Sequence, residues 1–284
     1  MDEDSPEDLC LDLLCRAAFG KKNYGRNILG PAENVKGFTR DDLFAYKNKY
    51  YCPENIVISF AGNIGTDEAL ALAEKHFGKM KLTGFKKPAK DITLSTESLF
   101  KNKPIEQAHF AFGFPTAARE DKLCPAIQVM NTILGGGMSS RLFKKVREEL
   151  GLAYSVYSYP SHYDETGLLT VYAGVNPKKA KQAAKAVKEV IEEFCKKGVT
   201  EEEFLRGREQ IKSSSIFAQE NTSSQMLLYG KQMLYKNEVY DFEKRMAEIA
   251  ALTPDDISRA IACNYDFSRA AVATVGNLKE GISL

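Results

Sequence analysis

One stretch of this chain occurs twice. Residues 39–64, TRDDLFAYKNKYYCPENIVISFAGNI, align without a gap on residues 253–278, TPDDISRAIACNYDFSRAAVATVGNL, at an offset of 214. Six of the 26 positions are identical: Thr39/Thr253, Asp41/Asp255, Asp42/Asp256, Tyr51/Tyr265, Gly62/Gly276 and Asn63/Asn277. Leu43/Ile257, Ile58/Val272 and Ile64/Leu278 are conservative pairs. Any capped helix followed by a strand shares some of this grammar. Agreement at both ends in one ungapped register favours duplication. Duplication demands two similar domains, so it constrains the fold more than any other feature. The second copy begins near Leu99, and subtracting the offset of 214 puts the start of the first copy about 115 residues before Met1. Residues 1–80 then read as the back part of a truncated first domain, with a sheet edge that something should cover. Residues 81–97 read as a polar linker and 98–284 as a complete second domain. Met1 reads as an internal methionine of a longer protein.

The local patterns point to an α+β chain, with a mixed or antiparallel sheet packed with helices in each domain. Ser5 can cap a helix over 5–19, with Pro6 at its first position. Thr39 caps a second helix, whose Asp41 and Asp42 suit its positive end. NIVISFAGNI (55–64) predicts a buried strand, and Thr66 opens another helix. Two strands follow the linker, then a helix over 121–134. SVYSYPSHYDETGLLTVYAGV predicts a hairpin turning near Asp164–Gly167. Four or five helices lie between Pro177 and Tyr265, and AAVATVGNL closes the chain as a strand.

Composition narrows the function. Apolar residues make up 44% of the 284, enough for a real core. The 39 basic and 38 acidic residues give a formal charge of +1, which exerts no general pull on nucleic acid. Six cysteines form no C-x-x-C pair and the three histidines are scattered, so a structural zinc site is poorly supported. Free thiols in a reducing cytosol fit better, and the expected location is cytoplasmic. The acidic start MDEDSPEDLC does not read as a secretion signal, and no apolar run reaches the roughly 18 residues that span a bilayer.

The richest motif is LGGGMSSRLFKKVREELGLAYSVYSY, 134–159. Gly135, Gly136 and Gly137 lack the Lys-Ser of a phosphate loop and the spacing of a dinucleotide fingerprint. A helix-to-helix link with Ser139 or Ser140 as cap accounts for them. Arg147 and Tyr154, seven residues apart, are the types that hold a peptide carbonyl or an oxyanion. On spacing alone, a surface arginine and a half-buried strand tyrosine explain them as well. His76, His109 and His162 have no partner at ligand spacing and read as structural. G-x-S-x-G, H-E-x-x-H and H-x-x-E-H are all absent. The lysines of 178–196 read as a solvated basic face.

That motif resembles the signature of the second domain in the pitrilysin/insulinase family of zinc metallopeptidases, which includes the mitochondrial processing peptidases. YGRNILGPAENVKGFTRDDLFAYKNKYYCPENIVISFAGNI (24–64) is similar to the back half of that family's first domain. The resemblance covers nearly the whole chain. It implies a clamshell of two similar α/β domains enclosing a peptide. The first domain would carry H-x-x-E-H and a distant third-ligand glutamate around zinc. The second would supply an arginine–tyrosine pair that holds substrate, matched here by Arg147 and Tyr154, with Gly135, Gly136 and Gly137 as a mobile segment facing the chamber. The zinc motif falls outside this sequence. Glu3 is the nearest candidate for the third ligand and a poor one. The resemblance therefore implies zinc in the complete enzyme, and no zinc and no cleavage by this chain alone; the charge balance and hydropathy predict no nucleic-acid partner and no membrane span. Two readings compete: a portion of a zinc endopeptidase completed by an N-terminal segment, or a non-catalytic subunit paired with a zinc-bearing homologue, like the core subunits of respiratory complexes.

Overall fold

The computed structural model describes residues 5–85 and 92–284. Glu3 lies outside the described residues, as do residues 86–91 of the expected linker. In chain order the elements are α1 (Pro6–Phe19), α2 (Ala32–Gly37), α3 (Arg40–Tyr50), α4 (Thr66–Phe77), β1 (Ser98–Asn102), β2 (Ala108–Thr116), α5 (Cys124–Leu134), a π-helical turn (Phe143–Glu149), β3 (Ala153–His162), β4 (Gly167–Val175), α6 (Ala180–Lys197), α7 (Glu201–Glu220), α8 (Thr222–Lys236), α9 (Phe242–Ala250), α10 (Pro254–Asn264) and β5 (Ala271–Gly276). The chain is α+β, as its sequence predicts.

Two compact units emerge. The first joins the described residues 5–29, 92–211 and 248–284; the second joins 30–85 and 212–247. The bounds 1–80, 81–97 and 98–284 expected from the repeat and from the polar stretch between its copies concern duplicated segments of sequence. Packing groups the residues differently, because α1 lies on the sheet of the first unit.

That sheet has five strands in the order β1-β5-β2-β4-β3. β1 and β5 are parallel and every other pair is antiparallel. β2 is central and alternates by face, as a strand must. Phe110, Phe112 and Phe114 join one core with Ile127 and Met130 of α5, Val187 and Ile191 of α6, and Ile257 of α10. Ala111 faces the other core, where Leu14, Ala17 and Ala18 of α1 meet Tyr172 and Ala273. α1 starts as expected: the Ser5 hydroxyl accepts the Asp8 N–H at 3.3 Å and Pro6 leads the helix. Its Glu7 reaches the sheet, accepting a 2.5 Å bond from the Tyr157 hydroxyl. Beside it the Tyr172 hydroxyl meets Nδ1 of buried His109 at 2.6 Å. Burial holds the His109 imidazole below its ordinary pKa.

The repeat is geometric as well as textual. Thr39 with Asp42, and Thr253 with Asp256, each form a reciprocal capping box. α3 and α10 end on Tyr51 and Tyr265 in nearly the same backbone conformation, and short 3₁₀ turns follow at Pro53–Asn55 and Phe267–Arg269. Gly62 and Gly276 both take positive φ, 145° and 157°, which an L side chain rarely adopts. In each copy the N–H two residues on donates to that glycine's carbonyl at 3.0 Å.

The copies part at the strand. β5 is sandwiched between β1 and β2 and wholly buried. The strand expected over 55–64 is not formed: among the described residues no strand pairs with it, and Ile58 and Phe60 are exposed. A strand is defined by its ladder, and a lone extended segment has none. The helices above follow suit. Leu43 of α3 is 60% exposed, whereas its counterpart Ile257 is at 0%. Among the described residues of the second unit, Cys52 alone is buried.

Candidate functional site

The motif 134–159 folds into three consecutive irregularities at one end of the sheet. β3 is an edge strand, since the order ends on it. α5 stops at Leu134, and the Gly135 N–H closes it on the Asn131 carbonyl at 2.9 Å. Gly136, Gly137, Met138 and Ser139 are then exposed, Met138 to 76%. Ser140 is buried again and its hydroxyl accepts the Phe143 N–H.

The three glycines do not share one role. A Cβ on Gly135 would lie 2.6 Å from the Ser158 nitrogen, and one on Gly136 would lie 2.7 Å from the Thr132 Cα. Gly137 meets only the Gln210 side chain, at 3.5 Å. Close packing thus accounts for two of the three.

The helix read from the sequence after these glycines opens into a π turn. The Leu150 N–H reaches back five residues to the Lys145 carbonyl at 3.1 Å, and the Leu152 N–H reaches the Val146 carbonyl at 2.9 Å. Such turns are rare and concentrate at functional sites. Arg147 sits on this turn, exposed, with its guanidinium over the Phe143 ring at 4.9 Å. Tyr154 sits on a second irregularity. The register of β3 against β4 slips between Ala153 and Ser155, so Tyr154 is the extra residue of a bulge. A bulge re-aims its side chain, and Tyr154 is 56% exposed. The π turn feeds directly into β3, which brings Arg147 and Tyr154 onto adjoining segments at the sheet's edge.

Arg141 anchors the segment from the far side. It grips Glu203 with Nε and Nη2 at 2.7 and 2.6 Å and donates to the Gly198 carbonyl at 2.8 Å. This fork holds the Glu203 carboxyl down at about 2. Arg141 and Glu203 escaped the sequence reading, because their pairing joins segments far apart in the chain.

No donor set for a metal forms among the described residues. His109 is engaged with Tyr172. The His162 Nδ1 donates to the Ala117 carbonyl at 2.8 Å, with the Cys124 thiol 3.8 Å away. His76 stands in the last turn of α4. The described residues therefore do not fit a zinc centre, and no chemical step of a zinc enzyme can be derived from them.

A family model described as the peptidase M16 inactive domain matches residues 37–211. The chain belongs to the peptidase M16 family. The M16 chain is 36% identical over 284 residues to a Bacillus subtilis protein described as the uncharacterized zinc protease YmxG, covering 98% of this chain and 68% of that one. Across such relatives it spans 62% to 68% of their length. Its fold matches the crystal structure of a peptidase M16 inactive domain from Pseudomonas fluorescens, with TM-score 0.89 and 21% identity over 99% of this chain and 68% of that one. It also matches a chain of complex III2 from Candida albicans, with TM-score 0.84 and 16% identity over 98% and 68%. The M16 chain is thus similar to zinc proteases while carrying a non-catalytic domain of that family.

Proposed function

We propose that this chain is the substrate-holding portion of a zinc endopeptidase, and that Arg147, Tyr154 and the bridge 136–139 hold a peptide while zinc and the water-activating group come from outside the described residues. The observation that carries this reading is the pairing of two backbone irregularities. A π turn and a bulge put an exposed arginine and an exposed tyrosine on consecutive segments at the edge of an otherwise regular sheet. Arginine can fork to a carbonyl or carboxylate, and a phenol can donate to an oxyanion. The exposed Met138 adds an adaptable apolar contact. Arg147→Ala and Tyr154→Phe should each lower peptide turnover by the assembled enzyme at least about tenfold, the loss from removing a transition-state donor. Circular dichroism melts should stay unchanged, and wild-type turnover in both variants refutes the assignment.

The partner is read from the repeat. Residues 57–62 reproduce the flanks of β5 without its neighbours, so the complement is a polypeptide segment that lays one parallel and one antiparallel strand beside them, as β1 and β2 do for β5. The N-terminal, zinc-bearing part of a longer protein fits that description. Similarity to a complex III2 chain supports a second reading, in which the chain is a non-catalytic subunit beside a zinc-bearing homologue. The intact mass of the native protein separates them: above 31.6 kDa with H-x-x-E-H in the added part, the first stands.

A further inference from the structure

The exposed bridge 136–139 is fastened at both ends. At the far end Ser140 is buried and Arg141 forks to Glu203. At the near end, Asn131 of α5 and Ser158 of β3, both buried, close on each other twice. The Ser158 hydroxyl donates to the Asn131 Oδ1 at 2.7 Å, and the Asn131 Nδ2 donates to the Ser158 carbonyl at 3.1 Å. Gly135 completes the ring. Its N–H donates to the Asn131 carbonyl, and its carbonyl accepts the Ser158 N–H at 3.0 Å.

This ring also consumes part of the sheet's edge. In an antiparallel ladder the N–H and C=O of one residue point the same way, and successive residues alternate sides. Both main-chain groups of Ser158 go to Gly135 and Asn131 and not to β4, so they are its edge-facing groups. Pro160, next on that side, has no N–H to offer. The open start of β3 is the bulge at Tyr154.

We propose that Asn131 and Ser158 are positioning residues for peptide. They tie the bridge 136–139 to the strand that carries Tyr154, so bridge and tyrosine present one pre-set surface. They also close the edge at Ser158, so an extended peptide meets the sheet only on the part of β3 before it, where Tyr154 lies. Neither side chain touches the peptide. This role rests on the peptide-holding reading above and goes beyond it, since it makes the glycine segment fastened where the family resemblance implies mobility. Pre-set contact surfaces bind more tightly chiefly because less freedom is lost on binding.

Amide exchange on the full 284-residue chain tests the fastening without any peptide. Asn131→Ala and Ser158→Ala should each speed exchange at residues 135–140 and at the Ser158 N–H about threefold to tenfold, the scale of one lost hydrogen bond. β5 should not respond, and the double variant should add little to either single one. Unaltered exchange at 135–140 overturns the proposal. A second measurement uses an unstructured peptide carrying a benzophenone. The wild type should crosslink at Met138 and Tyr154. Asn131→Ala and Ser158→Ala should release the peptide faster at unchanged association rate, with crosslinks spreading past Ser158. Ser158→Thr, which keeps the hydroxyl, should restore the wild-type release rate. Identical release rates and crosslink maps in wild type and Ala variants overturn the positioning role. A wild type that captures no peptide sinks the peptide-holding reading and this role with it, while exchange separately decides whether the fastening exists.

Discussion

Gly135, Gly136 and Gly137 stand side by side and answer to different neighbours. Gly135→Ala pushes a methyl into the backbone of β3, and a forced shift of that kind costs about 1–3 kcal/mol. Gly137→Ala meets only the Gln210 side chain, at an ordinary contact distance of 3.5 Å, and should stay within about 0.5 kcal/mol of wild type. Urea unfolding of the two variants checks the contrast. The sequence shows three identical letters and cannot separate them, because what limits Gly135 is a strand residue far along the chain. Arg147 and Tyr154 were visible only as members of a motif. Their π turn and bulge were not, since reading by periodicity presumes regular elements. Arg141–Glu203 gives a pH prediction. The Glu203 carboxyl lies at about 2 against an ordinary 4.5, a depressed value in the folded state. Its contribution is therefore complete above 4.5 and is lost as pH falls from 4.5 toward 2. Glu203→Gln should cost about 2 kcal/mol at pH 7, the scale of a charge-assisted hydrogen bond. That gap should close between pH 4.5 and 2 in denaturation curves measured across the range.

At the scale of elements, α3 and α10 make a controlled experiment within one chain. They share a capping box and a terminating tyrosine, yet Ile257 is buried where Leu43 is bare. Ile257→Ala should cost about 2–5 kcal/mol, as large-to-small changes in a core do. Leu43→Ala should stay within about 0.5 kcal/mol in this chain alone. Amide exchange should likewise be fast over 57–62 and slow over 271–276. A partner that supplies the flanking strands should slow the first stretch and raise the cost of Leu43→Ala. Caps, turns and helices were legible in the sequence because each rests on a few neighbouring residues. The strand at 55–64 was not, since a ladder needs partners that no local pattern reports.

For the molecule as a whole, the two units should unfold apart. The described residues of one hold both hydrophobic cores and those of the other bury only Cys52, so heat and proteases should reach 30–85 and 212–247 first. Limited proteolysis should leave a resistant remainder rich in β1–β4, and simultaneous cutting across both units would contradict this. Acid should narrow the difference, because it weakens the more stable unit. Burial depresses His109, so neutral His109 supports the first unit above the unfolded value of about 6.5, and that support is lost as pH falls below it. The strand order carries one more consequence, concerning synthesis. Among the described residues β5 comes last of the strands, yet it lies inside the sheet between β1 and β2. A nascent chain emerging from the ribosome carries β1 and β2 with a vacant slot between them until residues 271–276 appear. Stalling or clipping late in the chain therefore removes a keystone, and the half-made product, with the N–H and C=O groups of two strand edges unpaired, is a client for chaperones.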